Sequence, residues 1–66
     1  MNTPQYPDVP VQLDLGDNVF GIIGTVAHAL RQGGHRDAAD AFAADAMNCA
    51  SYDDVIQLAM RTVNVI

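Results

Sequence analysis

Apolar and polar residues alternate from Val9 onward, with Val9, Val11, Leu13 and Leu15 on one side and Pro10, Gln12 and Asp14 on the other. A period of two is that of a half-buried strand. Pro10 has no N–H to give to a ladder, so the strand should lie at an edge or begin its pairing after residue 10. It also needs a partner. The chain offers Val63-Asn64-Val65-Ile66, and the other option is the same strand of a second protomer.

From Val19 the period becomes helical. Val19, Ile23, Val26 and Leu30 fall on one stripe, widened by Phe20, Ile22 and Ala27. An Asp17 or Asn18 N-cap and a left-handed stop at Gly33-Gly34 bound a helix over 19–32. A second helix, over 36–48, is nearly all Ala and Asp, with Ala39, Phe42, Ala46 and Cys49 on one face. It adds little apolar area beyond Phe42 and Met47. Ser51 opens Ser-Tyr-Asp-Asp, a variant capping box with Asp54 at its third position, and Asp53 and Asp54 suit the positive end of a helix dipole. The third helix carries Val55, Ile56, Ala59, Met60 and Val63 and reaches at least Arg61, after which helix and strand compete for the last residues. Residues 1–8, with prolines at 4 and 7 continuing to 10, read as a flexible, polyproline-like lead-in. The fold class expected is mainly α: an N-terminal strand and a three-helix bundle forming one domain over 9–66.

Length changes the picture next. A domain of 66 residues buries only about 60% of the surface its unfolded chain exposes, so it needs a staple. The single Cys49 allows no internal disulfide. Self-association is the remaining staple, and a homodimer or higher homo-oligomer is expected. All eight acidic residues are Asp and all three basic residues are Arg, for a net charge of −5. That sign repels phosphate backbones and anionic headgroups, which argues against direct nucleic-acid or membrane binding. The N-terminus has no signal-peptide pattern and no apolar run nears the roughly 18 residues of a membrane span. A cytoplasmic location is the expectation.

Candidate chemistry is sparse. Nucleophilic catalysis would need Cys49 beside a base, but His28 falls within a helix and His35 in the Gly-Gly turn, with no spacing that joins them. The same scatter supplies no metal-ligand set, and Asp14-Leu15-Gly16-Asp17-Asn18 lacks the alternating-oxygen spacing of a calcium loop. Asp53 and Asp54 are adjacent on a helix, so they cannot share a proton as an acid–base pair. The glycines match no phosphate-binding fingerprint. No catalytic, cofactor-binding or metal-binding residue is assigned, no cofactor is expected, and the chain reads as a non-enzyme. Helices flanking Gly33-Gly34 suggest a helix-turn-helix, yet the second carries Asp37, Asp40 and Asp45 against one Arg36, the wrong sign for a major groove.

Gly21 and Gly24 each cost about 1 kcal/mol inside a helix, which suggests that a neighbour uses the space they leave. Aromatics and Met are enriched at interfaces and small residues permit close approach, so the interface candidates are Phe20, Gly21, Gly24, Phe42, Met47 and Met60. All six can equally be ordinary core.

The run Asn18-Val19-Phe20-Gly21-Ile22-Ile23-Gly24-Thr25-Val26, then Ala29-Leu30-Arg31, Asp45-Ala46-Met47 and Tyr52-Asp53-x-Val55-Ile56-x-x-x-Met60-Arg61, resembles a family of short uncharacterised proteins encoded by actinobacteria and their phages. The likeness covers about residues 11–65. It departs at Asn48-Cys49-Ala50-Ser51, where the family pattern has a tighter Ser-Gly-Asp turn, and near Thr62, where it has an aromatic. The family lends no activity. It implies a small phage or host cytoplasmic protein of a kind that binds another protein. The function expected is thus a protein–protein interaction module acting on a host protein. The alternative is a regulator of nucleic-acid machinery, either an atypical DNA-binding module or an acidic DNA mimic presenting Asp37, Asp40, Asp45, Asp53 and Asp54 on one face.

Overall fold

The computed structural model describes residues 3–14 and 16–66. Its elements are β1 (Tyr6–Val11), α1 (Val19–Gln32), α2 (Arg36–Met47), α3 (Tyr52–Thr62) and β2 (Val63–Val65). The fold is mainly helical with a strand at its N-terminal side.

Each helix starts and stops for a local reason. The Asn18 side chain accepts a hydrogen bond from the Gly21 N–H at 2.9 Å, which satisfies one of the free donors of α1. At its other end Gly34 takes φ +86°, the left-handed conformation that glycine adopts without a Cβ clash. This lets the His35 N–H reach the Leu30 carbonyl at 2.8 Å and the Gly34 N–H the Arg31 carbonyl at 3.1 Å, the two bonds of a Schellman stop. Ser51 caps α3, its hydroxyl accepting from the Asp54 N–H at 3.2 Å. His35 precedes α2 without a side-chain cap bond.

β1 begins at Tyr6, inside the stretch read from sequence as a lead-in, and ends at Val11, short of Leu13. Leu15 lies outside the described residues, as do residues 1 and 2 of the lead-in. The partner strand sets these limits. β1 runs parallel to β2, with Tyr6 opposite Val63, Pro10 opposite Asn64 and Val11 opposite Val65, and an irregularity between Tyr6 and Pro10. The Ile66 N–H donates to the Val11 carbonyl at 2.9 Å. Tyr6 is also held by His35, whose ring centroid lies 4.4 Å away. The residues after Thr62 that read as either helix or strand are strand as far as Val65.

The core is continuous from the strands into the helices. Ile22, Val26, Leu30, Val55 and Val63 are its largest fully buried side chains, with Val9 and Val11 of β1 buried beside them. α2 contributes Ala39, Phe42 and Ala46. Its small residues let α1 lie close, and the α1–α2 packing is the most extensive between any two elements. No described helix is long and apolar enough to cross a membrane.

Candidate interaction groove

The three helices run up, down and up, so the start of α1, the end of α2 and the start of α3 meet at one end of the molecule. An open groove of about 550 Å³ lies there. Its walls are Val19, Phe20 and Ile23 from α1, Ala46 and Met47 from α2, Cys49 and Ala50 from the intervening turn, and Tyr52 and Val55 from α3. The two caps seen above, Asn18 and Ser51, are also at its edge, because capping fixes how the chain enters each helix and therefore where this end closes. The Tyr52 hydroxyl donates to the Asp17 carbonyl at 3.3 Å and ties the start of α3 to the approach to α1.

The six interface candidates separate. Phe20 and Met47 are 65% and 62% exposed and both line the groove. Met60 is half-exposed but does not line it. Phe42 is 3% exposed and belongs to the core, where its ring fills the space that the alanines of α2 leave. Gly24 is exposed, and a Cβ built there would meet nothing within 4 Å among the described residues, none of which uses the space it leaves. A Cβ at Gly21 would strike the Asp17 carboxylate, which itself accepts from the Asn18 N–H at 2.8 Å. Gly21 thus makes room for the turn that leads into α1, rather than for another helix.

Residues considered for chemistry lie apart. Cys49 is not on the face of α2; it follows the helix, half-buried at the groove, with its thiol 3.5 Å from the Asp45 carbonyl. His28 is exposed on α1. His35 is at the opposite end, where its Nε2 lies 3.5 Å from an Asp8 oxygen without forming a hydrogen bond. At that separation the contact is an electrostatic approach, and Tyr6 packing is what places the ring. Among the described residues, no three His, Cys, Asp or Glu side chains gather where they could hold a metal ion.

Charge is divided along the same axis. Asp14, Asp17, Asp53 and Asp54 lie at the groove end, in the turn before α1 and the first turn of α3, whereas Asp45, in the last turn of α2, lines a separate pocket with Gln5, Tyr6 and Thr62. Arg31, Arg36 and Arg61 sit at the last turn of α1, the start of α2 and the last turn of α3, all at the far end, together with Asp8, Asp37 and Asp40. The far end is therefore neutral, and four of the five remaining Asp stand in the turn before α1 and the first turn of α3. The ion pair seen among the described residues, Arg31–Asp40 at 3.4 Å, is at the far end, as is the approach of His35 to Asp8. The five carboxylates of a DNA-mimic face are split by this arrangement, with Asp37 and Asp40 remote from Asp53 and Asp54.

The sequence singles out Phe20 and Met47 as residue types but shows neither the groove between them nor the charge division. The division was present as a signal: in an up-down-up bundle, Arg residues at the end of one helix, the start of the next and the end of the third meet at one pole. Comparison with protein-family models, curated proteins and solved structures gives no match for the chain.

Proposed function

We propose that this chain is a non-enzymatic interaction module that docks another protein in the groove between the starts of α1 and α3 and the end of α2. The observation that carries the reading is the pair Phe20 and Met47, two large apolar side chains more than half exposed on a groove that apolar side chains already line. Exposing them costs the folded chain favourable burial, and aromatic and Met side chains at the edge of a concavity are typical anchors of an interface. The resemblance to actinobacterial and phage proteins supports a cytoplasmic setting with a host protein as the partner.

Self-association, which the small size favours, is a separate contact in this reading. An isologous dimer through the groove would bring two copies of Asp14, Asp17, Asp53 and Asp54 together, so a second copy would use other apolar surface, such as Met60 and Ile66. Light scattering over a dilution series measures that contact by itself.

The test of docking is a Phe20→Ser/Met47→Ser variant produced at low level in an actinobacterial cytoplasm. The wild-type chain should elute from a sizing column in a complex, and the variant should elute free with its urea midpoint unchanged. A variant that remains in the complex would remove the groove from the account. The acidic end also favours a second reading, in which it occupies the DNA-binding surface of a regulator; a complex that DNA competes away would select it.

A further inference from the structure

Building on the docking reading, we infer that the groove takes a basic amphipathic helix of the partner, apolar on one face and flanked by Lys or Arg. Three observations define that occupant. First, every residue lining the groove comes from a helix end or a turn and none from β1 or β2, so an extended peptide would find no ladder to join. Side chains must then anchor the occupant, and an amphipathic helix presents an apolar row with charged flanks on both sides, with Met47 able to adapt to its shape.

Second, Asp17 lines the groove, Asp14, Asp53 and Asp54 stand in the same turn and in the first turn of α3, and no Arg is among the lining residues. Helix dipoles oppose this only weakly. The starts of α1 and α3 each bring about half a positive charge and the end of α2 about half a negative one, a net of roughly +0.5 against the four carboxylates of Asp14, Asp17, Asp53 and Asp54. Cationic flanks therefore meet a strongly favourable potential, while acidic ones are repelled.

Third, the chain cannot supply this occupant from a second copy. The far end, the one place with Arg residues, has three Asp to match them, and Arg31 is already engaged with Asp40. It offers no net complement to the groove.

The test uses two designed peptides of about 16 residues, long enough to hold a helix, with the same Leu positions at i, i+3, i+4 and i+7. One has Lys at the flanking positions and the other Glu. Each is titrated into the ¹⁵N-labelled full chain. The Lys peptide should shift the amides of Phe20, Ile23, Met47 and Val55 and bind about tenfold more tightly than the Glu peptide at physiological salt. The ratio should fall towards one in 1 M salt, where screening acts within about 3 Å. An Asp14→Asn/Asp53→Asn variant should reduce the preference while keeping its fold. Equal binding of both peptides at the groove would overturn the basic occupant and leave the docking reading standing. Failure of both to reach the groove would also overturn the inference, with docking itself then decided by the Phe20/Met47 variant. A doubled mass by light scattering, with groove amides shifting on self-dilution, would assign the groove to a second copy instead.

Discussion

Replacing Gly24 by Ala should stabilise the protein, and the reasoning fixes both sign and size. Gly24 is inside α1 with ordinary helical backbone, where glycine costs about 0.8–1 kcal/mol relative to alanine because the unfolded chain has more conformations to lose. A Cβ there meets no atom within 4 Å, so nothing opposes the gain. For a domain of this size about 1 kcal/mol corresponds to a rise in Tm of about 4–8 °C. Two other glycines are internal controls. Gly21→Ala gains the same propensity but displaces the Asp17 carboxylate from the Asn18 N–H, a bond worth about 1 kcal/mol, so its net effect should be near zero. Gly34→Ala forces a side chain into φ +86° and should cost about 1–2 kcal/mol. Urea and thermal unfolding followed by helical circular dichroism, at several protein concentrations, reads all three. A destabilised Gly24→Ala with an unchanged urea slope would refute the reasoning. If its loss shrank with dilution, Gly24 would be a contact between copies and not bare surface.

Other substitutions probe the elements that shape the groove. Leu30→Ala, at a fully buried site, should cost about 2–5 kcal/mol and leave much of the chain unfolded at 37 °C, seen as a lost cooperative transition. Ser51→Ala and Asn18→Ala should each cost about 1 kcal/mol by removing a cap, with Ser51→Asp near neutral in the same urea assay. Alkylation of Cys49 by iodoacetamide should slow when the Lys peptide fills the groove, because the thiol is part of its wall; an unchanged rate would place the peptide elsewhere.

The helices were legible in the sequence because their signals are local. The stripe Val19, Ile23, Val26, Leu30, the Asn18 and Ser51 oxygens and the Gly33-Gly34 stop each act within a turn or two. The strand was less so. Alternation from Val9 marked its buried face, but its extent depends on a three-residue partner more than fifty positions away and on Tyr6 packing against His35. The candidate site was legible only as residue types. Phe20, Phe42 and Met47 look alike by hydrophobicity, yet in the folded chain Phe42 is buried in the core while the other two stand exposed at the groove. Gly21 and Gly24 likewise read the same, yet a side chain from the preceding turn fills one space and solvent the other.

The most direct measurement of the central claim is photo-crosslinking in cells from a reactive phenylalanine analogue at position 20 or 47, with positions 28 and 37 as exposed controls away from the groove. The account predicts one discrete adduct from 20 and 47, heavier than the chain by more than a second copy of itself would add or carrying a partner's peptides, and none from 28 or 37. Adducts of equal yield from all four positions, or from the controls alone, would contradict it.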